Sequence, residues 1–323
     1  DEVIVTSRTF FASVSAIVSV GATPVFADID YESQNISIET IKAVLSKRTK
    51  AIICVHLAGL PCEMDPIILL AKKNKLFVIE DCAQAHGARY KDKPVGSFGD
   101  IGCWSFCQDK IITTGGEGGM ITTNNPNLRS KVWSYKDHGK SRDRVYAKDK
   151  VSNYEFKWLT TSFGTNARIT EMQAAIGRVQ LKYIDIWHNK RVSNMNKILG
   201  TAKKCKGLRV PEIPHYMDHA AYKCYVFVNV SDLTPSWDRG RVVRKINELG
   251  VPCFTGSCPE VYLEKSFDNT SFRPLQRMPN AKKLGETSLM FLVHPTLTDN
   301  EINKTCSVIM QVMKMATLPL KKD

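Results

Sequence analysis

Two stretches of this chain are apolar at every position and too short to be helices: Ala51-Ile52-Ile53-Cys54-Val55 and Leu76-Phe77-Val78-Ile79. A strand with one wet face alternates polar and apolar residues. One that is apolar throughout must be covered on both faces, which implies a largely parallel sheet between layers of helix. The neighbouring segments supply those elements. Asp1 to Val5 and Pro24 to Asp28 read as further strands, and Thr9 to Val20 as an apolar helix stopped by Gly21. Ser37 can cap a helix running to Leu45 with Ile38, Ile41 and Leu45 on one face, and Met64 to Lys73 is a helix with Pro66 in its first turn. Strands alternating with helices give an α/β domain. In such domains ligands bind beyond the carboxyl ends of the strands, and the strand at Leu76 ends there in Glu80-Asp81.

Beyond this unit, Met120 to Thr123 reads as a strand closed by Asn124-Asn125. Tyr135 to Phe163 is polar, aromatic and poorly periodic, the signature of a functional lid or an oligomer contact. Asn166 to Tyr183 and Ile184 to Leu199 are two helices that bridge to a second domain, and the 323 residues suffice for two. In the second part, Tyr222 to Val230 alternates as a strand, Ser236 is placed to cap a helix ending at Leu249-Gly250, and Val251 to Phe254 starts another strand. Thr298 and Glu301 form a capping box for a last helix. The expected division is a large domain over residues 1–186 and a smaller α+β domain over 187–323.

Composition narrows the function classes. Hydrophobic residues are 43% and charged residues 24%, ordinary for a globular protein with a core, and no apolar run is long enough to cross a bilayer. The expected location is the cytoplasm. Ten cysteines lack any CxxC pair or zinc-type spacing and read as reduced thiols. A net charge of +13 fits either nucleic acid or a small anionic substrate such as a phosphorylated compound. The basic residues are spread along the chain instead of gathered on one element, so charge does not decide between them.

The chemistry gathers around Trp104-Ser105-Phe106-Cys107-Gln108-Asp109-Lys110 and the turn Gly115-Gly116-Glu117-Gly118-Gly119. A lysine is ordinarily a solvated surface charge. Lys110 stands out because Phe98, Ile101, Trp104 and Phe106 surround it in sequence, and desolvation would make its amine nucleophilic.

The run Glu80-Asp81-Cys82-Ala83-Gln84-Ala85-His86-Gly87, then Gly96 to Gly102, Ser105, Lys110 and Gly-Glu-Gly-Gly, closely resembles the DegT/StrS family. So do His138-Gly139 and Asn166 to Ala175, and the likeness covers essentially the whole chain. These are pyridoxal-phosphate-dependent sugar-nucleotide aminotransferases with an aspartate aminotransferase-like (fold-type I) large domain. The resemblance implies a nucleotide-sugar substrate, an amino-acid donor (L-glutamate) and a homodimer with shared active sites, with no nucleic-acid or membrane partner. It implies that Lys110 forms the Schiff base with pyridoxal 5'-phosphate and shuttles the proton, while Asp81 pairs with the pyridine nitrogen. Gln84 would bond the 3-hydroxyl side, Phe10 stack on the ring, Ser105 bond the phosphate, and Asn166 reach the phosphate of the neighbouring subunit. His138 is divided between structure and the substrate pocket; His86 and His294 read as structural. Retention of Lys110, where some relatives carry histidine and dehydrate, favours transamination. Family members carry a segment before the point where this sequence starts, with a Gly-Thr turn whose backbone donors meet the phosphate. The expectation is therefore an incomplete phosphate cup, and the alternative reading is a non-catalytic or truncated member acting as a binding or regulatory protein.

Overall fold

The computed structural model describes residues 1–147 and 158–317. Its larger sheet has six strands: β1 (Glu2–Thr6), β2 (Thr23–Ala27), β3 (Thr49–Val55), β4 (Phe77–Asp81), β5 (Ile101–Ser105) and β6 (Gly119–Thr122). The order is β2-β1-β3-β4-β5-β6, parallel except for β6, which runs antiparallel to β5 at one edge. Pro24 lies in β2, the opposite edge, where a residue without an N–H costs the ladder least.

The sheet is covered on both faces, and β3 shows how. Ile52 and Cys54 pack with Ile41 of α2 (Ile38–Val44) and with Met64, Ile67 and Leu70 of α3 (Met64–Asn74). Ile53 and Val55 face the other way, onto Val14 and Ile17 of α1 (Ala12–Ser19). Alternate residues of one strand therefore enter two different cores, which is why its run from Ala51 to Val55 carries no polar side chain. Ser37 caps α2 through the Thr40 N–H in a reciprocal capping box, as its position suggests.

A second sheet is antiparallel: β7 (Leu208–Arg209), β8 (Cys224–Val228), β9 (Cys253–Phe254) and β10 (Ser288–Phe291), in the order β9-β10-β8-β7. The helices α4 (Pro126–Tyr135), α5 (Arg142–Tyr146), α6 (Glu171–Leu181) and α7 (Ile184–Ala202) separate the two sheets in sequence. Ile184, at the start of α7, packs beside Ala85 and Ile111 of the first lobe, while Met195, Ile198 and Ala202 enter the second core. That core is closed by α8 (Arg239–Glu248) and α10 (Asp299–Ala316), and α9 (Pro279–Thr287) precedes β10.

The segment after β9 does not stay with its own lobe. Val261, Tyr262 and Phe267 return to pack with Val5, Val14 and Phe26 of the first sheet, with Phe26 edge-on to both rings at 5.5 Å.

Two local readings change. Ser236 does not cap α8. Asp238 does, its carboxylate accepting the Arg241 N–H at 2.6 Å, because the helix starts at Arg239 and Asp238 is the residue directly before it. The stretch Tyr135 to Phe163 is not a loop throughout, since α4 ends at Tyr135 and α5 follows. The rest of that expectation, residues 148–157, lies outside the described residues.

Candidate active site

The described strands β1, β3, β4 and β5 end at one edge of the sheet, at Thr6, Val55, Asp81 and Ser105. Asp81 pairs in register with Cys103, which sets Ser105 two residues further along the neighbouring strand. This juxtaposition follows from parallel topology alone.

Asp81 is half-buried. Its Oδ2 accepts a hydrogen bond from Ser13 Oγ at 2.8 Å and its Oδ1 accepts the Ala83 N–H at 3.1 Å. Ser13 Oγ also lies 2.9 Å from Thr9 Oγ1. Because the Ser13 proton goes to the carboxylate, Thr9 is the donor in that second bond. A chain of hydroxyls thus runs from the turn beside Phe10 to Asp81, and Phe10 holds its ring out at that edge, 70% exposed. Gln84 is buried, and its Oε1 accepts the Ala58 N–H at 2.7 Å, which leaves its amide N–H groups for another acceptor.

Directly behind Asp81, Glu80 is fully buried. Its carboxylate accepts the N–H groups of Gly96, Phe98 and Gly99 at 2.7–2.8 Å and faces His56 Nε2 at 3.2 Å. His56 Nδ1 accepts the Cys62 N–H, so the ring proton sits on Nε2 and points at Glu80. Burial works against the charge on Glu80, but His56 and the backbone donors outweigh it, and its pKa lies below the usual carboxylate value. Cys82 completes a buried His56–Glu80–Cys82 group whose His and Glu atoms are already engaged with protein partners. This network clamps the 96–99 turn to β4 and so fixes the start of β5.

Lys110 follows β5 in a tight turn, its N–H donating to the Cys107 carbonyl at 3.1 Å. Its Nζ lies 3.4 Å from Asp109 Oδ1 and 5.3 Å from the centroid of the Tyr222 ring. Tyr222 OH donates to Asp109 Oδ2 at 2.5 Å. Lys110 opens on a cavity of about 800 Å³ that reaches it from the second lobe, between α7 and the Leu292–Thr296 segment. The charges in this lining are mostly basic: Lys190, Arg191 and Lys223 accompany Lys110, against Asp109 alone among the acids, while burial pushes the pKa of His294 down. Arg191 is buried with its Nε unpartnered, and burial draws its pKa down to about 10. Phe10, Asp81 and Gln84 lie outside that lining, and no described hydrogen bond or ion pair joins Lys110 to Asp81.

His86 links the two parts. Its ring lies tilted against Trp104 at 5.3 Å and Phe106 at 5.8 Å, and burial, with the Lys110 charge second, pushes its pKa down to about 4. The glycine turn is required sterically: Gly116 has φ +141°, and a Cβ on Gly118 would collide with Thr114 Oγ1. Ser105 Oγ accepts the Cys107 N–H at 3.3 Å and keeps its own proton to donate. Asn166 and His138 are exposed and stand apart from this group. Asn166 accepts from Arg168 Nε, and His138 has φ +58° before Gly139.

The residues missed by reading the sequence are Thr9, Ser13, Asp109 and Tyr222. The four-residue spacing of Thr9 and Ser13 was the available signal for the first pair. Nothing local pairs Asp109 with a tyrosine 113 positions away.

The donor set has a definite chemistry. A supported carboxylate suits a protonated ring nitrogen, an exposed aromatic suits a flat ring, a free amide suits a phenolic oxygen, a hydroxyl beside a glycine turn suits a phosphate, and a primary amine suits an aldehyde. These residues fit pyridoxal 5'-phosphate.

The comparisons agree. An aminotransferase from Psychrobacter cryohalolentis, solved by X-ray diffraction, superposes with a TM-score of 0.95 at 57% identity, covering 98% of this chain and 81% of that one. A UDP-N-acetyl-3-dehydro-α-D-glucosamine 3-aminotransferase of Acidithiobacillus ferrooxidans is 33% identical over 97% of this chain and 78% of its own length. A GDP-perosamine synthase of Escherichia coli O157:H7 is 42% identical over 64% of this chain and 55% of its own. The sequence profile of the DegT/DnrJ/EryC1/StrS aminotransferase family matches residues 1–310. The α/β architecture, the donor set and the match along the chain lead to one conclusion: this protein belongs to the DegT/DnrJ/EryC1/StrS aminotransferases, a pyridoxal-phosphate-dependent family.

Proposed function

We propose that the protein transfers an amino group from L-glutamate to a keto-sugar carried on a nucleotide, in the cytoplasm, for amino-sugar and cell-surface polysaccharide synthesis. The observation that carries this reading is the cavity with mostly basic charges at Lys110, in a chain that also holds a Ser13-supported Asp81 at the end of β4. A nucleotide sugar brings phosphates, and a cavity with four cationic side chains and one acid favours them. The relatives point the same way: two are named for GDP- or UDP-linked sugars, and a third, from Bacillus subtilis, for spore coat polysaccharide biosynthesis.

Bound pyridoxal phosphate would supply an electron sink for the transferred amine's carbon. The chain's own residues do the rest. Asp81 would keep the proton on the ring nitrogen, Phe10 would stack on the ring, Gln84 would donate to the 3-hydroxyl side and Ser105 to the phosphate. Lys110 would hold the cofactor through its amine and serve as the proton carrier. In this reading the active unit is a homodimer in which Asn166 serves the partner's phosphate and His138 lines the sugar pocket. All residues of α6 are at least partly exposed in the single chain, Met172 and Val179 among the most exposed, and an apolar face of that kind calls for a cover. The proposed division stays at residues 1–186 and 187–323, with Val261, Tyr262 and Phe267 of the second part packed back on the first sheet.

The test is a panel of GDP-, dTDP- and UDP-linked keto-sugars incubated with the protein and L-glutamate, reading 2-oxoglutarate and aminated sugar. Amination by the native protein and none by Lys110→Ala supports the reading. No amination across the panel, or equal product from Lys110→Ala, rejects it.

A further inference from the structure

Asp109 directly precedes Lys110, yet the turn through Cys107 brings both side chains to one cavity. The Asp109 carboxylate is divided between two partners. Oδ2 takes the Tyr222 hydroxyl at 2.5 Å, and Oδ1 faces Lys110 Nζ at 3.4 Å. Tyr222 belongs to the second lobe, two residues before β8, and is buried. Its ring has Lys110 Nζ at 5.3 Å and Lys223 Nζ at 4.7 Å from its centroid, cation–π distances. We propose that Asp109 and Tyr222 form a docking station for the Lys110 ammonium, making Asp109 a positioning residue that acts through the lysine.

This inference rests on the reading of Lys110 as the residue that bonds the cofactor. On that reading Lys110 would leave the cofactor as a free amine, take up the proton from the donor's carbon and so become an ammonium, the form that Asp109 would hold in place. The released lysine must stay within reach, in one orientation, to act as the proton carrier. Asp109 supplies its counter-charge and Tyr222 an aromatic face. The station is built to stay charged. Burial opposes the ionised form of Asp109, but the Tyr222 hydroxyl, Lys110 and Lys223 outweigh burial and hold its pKa below the usual carboxylate value. Burial and the adjacent carboxylate raise the pKa of Tyr222, so it remains a donor. The other charged groups facing the cluster are Lys190 and Arg191 of α7, while burial holds His294 and His86 towards the neutral form.

The experiment follows the visible absorbance of cofactor-loaded protein against pH, together with acetylation of Lys110 in cofactor-free protein by mass spectrometry. Asp109→Asn is expected to move the absorbance midpoint down by about one pH unit, the low end for a lost opposite charge at this range, since Asp109 is half exposed. The rise of Lys110 acetylation moves down with it. Asp109→Glu restores most of the shift, and Tyr222→Phe lies between native and Asp109→Asn. An unchanged midpoint and an unchanged acetylation profile in folded Asp109→Asn overturn the proposal. If native protein shows no cofactor absorbance, the aminotransfer reading fails, and the acetylation arm still decides the pairing.

Discussion

Ser13 gives its hydroxyl proton to Asp81 across 68 positions of sequence, and Thr9 in turn bonds Ser13. The aromatic Phe10 and the carboxylate at the end of β4 therefore form one hydrogen-bonded unit, anchored at the first turn of α1. Ser13→Ala removes one donor from Asp81 without changing its charge. The expected result is cofactor binding weakened about fivefold, near 1 kcal/mol, by absorbance titration of cofactor-free protein. Asp81→Asn, which removes the charge itself, should cut turnover about 10²-fold or more.

Glu80→Gln attacks the clamp instead of the site. It leaves His56 and three backbone donors facing a neutral amide in a dry environment. Breaking such a buried network costs about 3–5 kcal/mol, and the midpoint of urea unfolding should fall accordingly. A midpoint equal to the native protein's would show that the 96–99 turn is held by something else.

His86 predicts a pH dependence with a definite sign. Its pKa in the folded chain is about 4, below the ordinary value of 6.5, so the unfolded chain binds the extra proton more readily. The stability due to neutral His86 is complete above pH 6.5 and is lost as pH falls towards 4. It amounts to about 3 kcal/mol at most. His86→Phe, which keeps a ring against Trp104 and Phe106, should lose less stability over that interval in parallel melts at pH 7 and pH 5.

On α6, Ile176 and Val179 are apolar and exposed. If a second copy covers them, Ile176→Asp with Val179→Asp should convert the native dimer to monomer in sedimentation velocity, and Asn166's contribution to the partner's site would go with it. A native protein that already sediments as a monomer would remove the shared-site reading.

Much of this could be read from the chain because the signals were local. The apolar run Ala51 to Val55 in β3, the Ser37 cap, the Thr298 capping box and the position of Asp81 after a buried strand each depend on a few adjacent residues. Thr298 caps α10 through the Glu301 N–H as its spacing indicates. What escaped depends on distant pairings. Asp109 gains its meaning from Tyr222, Asp81 gains its support from Ser13, and Glu80 gathers its donors from a turn 16 to 19 residues on. The strand β10 and helix α9 were also missed, since Ser288 to Phe291 is only four residues long and its partners β8 and β9 are far away in sequence.

The return of Val261, Tyr262 and Phe267 to the first sheet has a mechanical consequence. A cut near residue 186 would strip Val5, Val14 and Phe26 of the rings that cover them and leave Tyr262 and Phe267 bare on the other piece. Neither half is a self-sufficient product of such a cut. The seam is stitched by α7, by this plug and by Asp28, which accepts the N–H groups of Asn280 and Ala281, so the two lobes are joined at several separate points and not by a single strap.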